Sequence, residues 1–166
     1  MTQYQKIVYI DVDVFVQKDF SKLLHLPAFG AAMLGCQDYH WTTLNGGLLI
    51  IEPNTDTFLE IMELANNKSF KWEYSEQELL NEFYLRRHPE RIYPVSLAYM
   101  VPSSNYEWTD GWENGDINVN YVGPCLVHFL CTSKPWYRII GKFHIEWKND
   151  CNSLMKKFNV EENCHA

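Results

Sequence analysis

The sequence predicts one α/β domain spanning residues 1–166, and three observations carry that reading. Short apolar runs of strand length recur, several of them rich in β-branched residues. One segment repeats its apolar residues at helical spacing, and a capping signature opens a second helix. A chain of 166 residues is long enough to bury a substantial core. Its 46% hydrophobic and 21% charged content belongs to a folding chain rather than a disordered one. No repeat, low-complexity tract or linker divides it.

Taken in order, Ile7 to Ile10 is an uninterrupted apolar run, the pattern of a strand buried on both faces. Val14 to Val16 resumes that pattern after two acids. "FGAAMLGC" and "GGLLIIEP" are read the same way, with Pro53 ending the second. In "NTDTFLEIMELANN", Phe58, Ile61, Met62 and Ala65 fall at helical spacing behind Thr55 as the expected cap. "SEQELLNEFYLRR" places Ser75 and Glu78 at capping-box spacing and Leu79, Leu80 and Phe83 on one face, so a helix begins near Ser75. "LVHFL" is a short apolar strand interrupted by His128. The aperiodic, aromatic stretch "PSSNYEWTDGWENGDINVN" is expected to be a surface loop.

Composition excludes several roles. A formal net charge of -7 argues against nucleic-acid partners, because phosphate backbones are met by clustered Lys and Arg. Five cysteines without a CxxC pair fit reduced thiols and a cytoplasmic setting better than a disulfide framework or a zinc site. The start "MTQYQK" has no signal-like apolar core, and no apolar run has the length of a membrane span, so no membrane partner is expected.

The chemistry begins at "YIDVDVF". Residues two apart on an extended strand point to the same side, so Asp11 and Asp13 can converge on one point. Such a pair repels itself unless a hard divalent cation sits between its oxygens. An isolated Asp-x-Asp is more often two solvated acids, and a lone strand histidine is more often a core residue. His128 nevertheless stands six residues before Lys134 in "VHFLCTSKPWY". An imidazole beside carboxylates suits manganese, and a metal with a nearby lysine suits a diphosphate.

Four motifs, "MTQYQKIVYIDVDVFVQKDF", "LNGGLLIIEPNTDTF", "SEQELLNEFY" and "VHFLCTSKPWY", occur in the order found in the family 8 glycosyltransferases, and the chain resembles those of the glycogenin type from Thr2 to about Trp147. The resemblance implies a nucleotide-diphospho-sugar transferase fold of the A type, here partial, with a mixed and mainly parallel sheet flanked by helices. It implies transfer of glucose from UDP-glucose, with retention at the anomeric carbon and with Mn²⁺, to a protein tyrosine or a growing glucan. Asp11, Asp13 and His128 match the metal ligands, and Asp11 also lies near the donor's ribose. Lys134 matches the lysine of the diphosphate, Asn45 and Gly46 the contacts to the donor sugar, and Glu76 and Gln77 an Asp-Gln pair beside the reactive carbon. Tyr106 is the first candidate acceptor, with Tyr99 and Tyr121 as competitors. Against the family pattern the chain starts just upstream of the Asp-x-Asp strand, so it is expected to be an N-terminally truncated domain. Its alternative role is that of a non-catalytic fragment pairing with an intact relative, or with itself as a homodimer.

Overall fold

The computed structural model describes residues 3–35, 42–67, 75–95, 99–102, 125–129, 134–137 and 142–158. The chain parts into two compact units, residues 1–11 with 20–99 and residues 12–19 with 100–166.

The first unit is built on a four-stranded sheet in the order β1-β4-β3-β5. Its strands are β1 (Ile7–Ile10), β3 (Gly30–Gly35), β4 (Thr42–Ile51) and β5 (Tyr93–Val95). Residues 44 to 50 of β4 are all buried, as the continuous apolar run requires when both faces are covered. β4 pairs antiparallel with β1, through Ile7 opposite Ile51 to Ile10 opposite Leu48, and antiparallel with β3. β3 pairs parallel with β5. The β3–β4 register jumps, with Ala31 opposite Leu49 but Ala32 opposite Asn45, so Gly46, Gly47 and Leu48 bulge out of that ladder.

Both predicted helices form in this unit. α1 (Thr55–Asn66) is capped by Asn54 and not by Thr55, because the Asn54 side chain accepts the Thr57 N–H at 2.9 Å. Its inward face also differs from the one expected. Leu64 is buried, with Ile61 and Ala65 packed against the core, whereas Phe58 and Met62 are 59% and 41% exposed. The stripe was correctly periodic but rotated, since a helix with apolar residues at 58, 59, 61, 62, 64 and 65 offers two faces and only docking selects one. α2 (Glu76–Leu80) begins where predicted, with Ser75 accepting from the Gln77 N–H. It continues as wider π-type turns over Asn81–Arg87, closed by the His88 N–H on the Phe83 carbonyl at 3.0 Å. Leu79 and Phe83 enter the core as expected, and Tyr84 stacks on Phe29 with ring centroids 3.8 Å apart.

The second unit contains a three-stranded sheet, β2-β7-β6, from Val14–Val16, Leu126–His128 and Met100–Pro102. β2 and β7 are antiparallel and β6 and β7 parallel. Phe15, Val127 and Phe129 pack with Phe143 and Trp147 of α3 (Lys142–Lys157).

Three further expectations need correction. β1 and β2 are not buried on both faces, since Tyr9 and Val16 are exposed and their strand neighbours only half-buried. The sheets are mixed, but among the described residues three strand pairings are antiparallel and two parallel, so "mainly parallel" fails. Only six residues separate β3 from β4, too few for the crossover that parallel neighbours need. The reduced-thiol reading fails at Cys151, which is disulfide-bonded, while Cys125 is free. Cysteine spacing says nothing about which sulfurs meet once a helix is placed. No helix among the described residues is long and apolar enough to cross a membrane.

Candidate functional site

In the first unit, five predicted site residues gather around one end of the β1–β4 pair. Beyond the last ladder pair, the Asp11 N–H bonds the Gly47 carbonyl at 3.1 Å, which fixes Asp11 beside the bulge. Its carboxylate accepts from the Tyr9 hydroxyl at 2.7 Å. Asn45 is 2% exposed and turns its Oδ1 onto the Gly47 N–H at 2.7 Å. The Gly46 N–H, released from the ladder by the bulge, donates to Gln77 Oε1 at 2.9 Å. A Cβ at position 46 would lie 3.4 Å from Glu76 Oε1, so both side chains at the start of α2 reach the strand at the one residue that offers them only backbone.

Asn81, which sequence reasoning missed, ties this arrangement together. Its Oδ1 accepts the Leu44 N–H at 2.9 Å and its Nδ2 donates to the Gln77 carbonyl at 2.7 Å, so one side chain clamps α2 to β4. The available signal was an amide four residues after Gln77, one helical turn along the same face.

In the second unit the site residues are ionisable. Asp13 stands just before β2, with its carbonyl accepting the Phe129 N–H at 3.0 Å. Its Oδ1 lies 3.2 Å from His128 Nε2, and its Oδ2 accepts from Lys134, which also donates to the Phe129 carbonyl. His128 is buried and sits opposite Val14 in the β2–β7 register. Burial would raise the Asp13 pKa, but the Lys134 hydrogen bond and the charges of His128 and Lys134 outweigh it, so the carboxyl is held below its usual 3.8. Asp13 and His128 thus present an oxygen and a nitrogen to one point, a donor pair that suits a divalent cation. Asp11 follows by covalent linkage, since one intervening residue holds the two aspartate α-carbons within about 7 Å. Of the acceptor candidates, Tyr99 lies in a half-buried turn, and Tyr106, Tyr121 and the predicted surface loop from Ser103 onward lie outside the described residues.

The fold is that of the A-type glycosyltransferases. The chain superposes on the apo glycosyltransferase GlyE of Streptococcus pneumoniae with a TM-score of 0.63 and 17% identity, covering 96% of this chain and 40% of that one. It superposes on a galactosyltransferase LgtC, solved with donor and acceptor sugar analogues, with a TM-score of 0.59 and 20% identity, covering 83% and 57%. Residues 1–58 match the model of glycosyl transferase family 8. Glycogenin of Neurospora crassa is 32% identical over 138 residues, which are 81% of this chain and 18% of that protein. Glycogenin-1 of Caenorhabditis elegans and of Homo sapiens are each 26% identical, over 82% of this chain and 30% and 37% of their own lengths. In sequence the chain is similar to the family 8, glycogenin-like glycosyltransferases, and it spans well under half the length of these relatives.

Proposed function

We propose that the chain carries the catalytic residues of a retaining, metal-dependent glycosyltransferase of the glycogenin type, moving glucose from UDP-glucose to a protein tyrosine or a growing glucan. The observation that supports this best is Asp13 held between His128 and Lys134, at the positions where the family resemblance expects metal and diphosphate groups. Asp11, Asp13 and His128 would hold Mn²⁺, whose chemistry when bound is to neutralise charge on the diphosphate.

The chain's own residues supply the rest. As the bond from the sugar's anomeric carbon to the β-phosphate oxygen breaks, its electron pair stays on UDP, and Lys134 offers an ammonium to that growing charge. The acceptor hydroxyl oxygen forms the new bond on the same face and gives up its proton, which the departing phosphate can take. Asn45 and Gly46 contact the donor sugar, and Gln77, bonded to the Gly46 N–H, orients the start of α2 beside it. The Glu76 carboxylate stabilises the oxocarbenium character of the sugar. Its place next to Gly46 supports that role. A cytoplasmic setting goes with this reading, and the Cys151 disulfide is the feature that weighs against it.

The test is Mn²⁺-dependent release of UDP from UDP-glucose, with and without a tyrosine-bearing acceptor or an intact relative as partner. Activity that vanishes in Asp13→Asn and Lys134→Ala supports the proposal. Activity that survives both changes refutes the assignment, and none under any condition, alone or with the relative, favours the alternative of a non-catalytic partner.

A further inference from the structure

Away from the residues just described, the first unit holds a cleft of about 810 Å³ lined by the start of β1, the end of β4, the first turn of α1, and Tyr84 and Arg91. Its lining is unusual in a chain of net charge -7, because Lys6 and Arg91 are positive there and Glu52 is the one acid. The donors are only partly spent. Lys6 gives one hydrogen bond to the Leu26 carbonyl and pairs with Glu52, leaving one of its three protons. Arg91 meets Glu60 and the Thr57 hydroxyl with two of its five N–H groups, and Thr57, used there as acceptor, keeps its own proton. Asn54 spends its oxygen on the α1 cap, which leaves its amide protons.

Tyr84 supplies the second, independent observation. The residue lines the cleft and is 5% exposed, its ring is pinned by Phe29 and Phe83, and its hydroxyl has no hydrogen-bond partner among the described residues. Buried hydroxyls are normally paired, so one left open on a residue of the cavity wall points to a partner that enters from the cavity. Lys6, Arg91, Thr57, Asn54 and Tyr84 leave spare donors around this cleft, against the Glu52 carboxylate and the Gln5 amide oxygen, so the partner that the donors call for is rich in acceptors.

We propose that this cleft binds a phosphate oxyanion, as the free ion or as a small phosphomonoester, through Arg91, Lys6 and the Tyr84 hydroxyl. A tetrahedral oxyanion has enough acceptor oxygens for all the spare donors, and the Arg91 guanidinium presents the fork that phosphate matches. The first turn of α1, with Asn54 and Thr57 on the wall, adds the positive end of a twelve-residue helix. The volume leaves room for a small substituent beyond the phosphate.

The site is separate from the proposed transferase residues, so its test can fail without them. Phosphate and glycerol 3-phosphate are titrated calorimetrically into the whole chain with a chelator present, so that no divalent metal contributes. Saturable binding is expected, weakened at least about fivefold in both Arg91→Gln and Tyr84→Phe, the loss of one hydrogen bond to a charged group. Tyr84→Phe keeps the stacked ring and should melt no lower than the wild type, so it decides the matter if Arg91→Gln folds poorly. Lys134→Ala should bind as the wild type does. Tighter binding of glycerol 3-phosphate supports a phosphomonoester ligand, and tighter binding of phosphate supports the free ion. Absence of saturable binding, equal affinity in Tyr84→Phe, or loss of binding in Lys134→Ala overturns the proposal.

Discussion

The two units hold their candidate residues by opposite means. In the first, neutral groups do the holding: Gly46 N–H to Gln77, Leu44 N–H and the Gln77 carbonyl to Asn81, and Gly47 N–H to Asn45. In the second, Asp13 is paired by charge with Lys134 and lies against the His128 imidazole. Neutral hydrogen bonds fix direction and distance with little dependence on pH. An ionic cluster is set by the balance of its charges, and it answers to protons, salt and any added cation. Under the proposed function, the first arrangement would meet the sugar and the second the metal and the diphosphate.

The comparison is broken most strongly at Asp13. Asp13→Asn keeps the shape but removes the charge of a ligand, and Mn²⁺ affinity measured by calorimetry should fall by more than about 100-fold, beyond the loss typical of groups that merely support a ligand. His128→Ala should weaken the same binding. If it lowers only the melting temperature and leaves Mn²⁺ affinity intact, the histidine is a core residue and no ligand.

The neutral clamp should break through stability. Asn81→Ala leaves the Leu44 N–H without its acceptor and frees the Gln77 carbonyl, which costs about 1–3 kcal/mol by denaturant unfolding. Mn²⁺ affinity should be the same as in the wild type. A variant as stable as the wild type would show that α2 is held to β4 by packing alone.

Acid and alkali should separate the units further. The folded Asp13 pKa lies below its unfolded value, so its stabilisation is complete above about pH 4 and is lost as pH falls through the lowered folded value. Tyr84 is displaced the other way. Burial raises it and Glu60 adds to that, against the lowering effect of Arg91, so its contribution is complete below about pH 10 and is lost as pH rises through the raised folded value. Acid melting curves should therefore lose their Asp13-dependent part in Asp13→Asn, and alkaline curves their Tyr84-dependent part in Tyr84→Phe. Unchanged curves in both variants would remove these groups from the pH response.

The smallest expected effect lies on α1. Phe58→Ser should shift stability by no more than about 0.5 kcal/mol because the ring is already in solvent. Leu64→Ala, on the same helix, should cost about 2–5 kcal/mol. A larger cost at Phe58 than at Leu64 would mean that the helix docks through the face expected from periodicity.

What the sequence determined by itself was local or covalent. The positions of β1, β2, β3, β7, α1 and the start of α2 followed from apolar runs and from the Ser75 cap, because such signals act within a few residues, whereas β5, β6, α3 and the first residues of β4 were missed. The proximity of Asp11 to Asp13 was certain from one intervening residue. The tertiary structure decided everything that depends on which surfaces meet. It chose Leu64 over Phe58 as the buried face of α1, and among the described residues it made antiparallel pairs more numerous than parallel ones. It released the Gly46 N–H through a bulge for Gln77 to accept. It placed Asn81 between α2 and β4, Lys134 on Asp13 across 121 residues of chain, and Tyr84 on a cleft, its hydroxyl without a partner among the described residues. Residue type and spacing limit what a side chain can reach, but burial and pairing are properties of contacts between distant segments, and these exist only after the chain has packed.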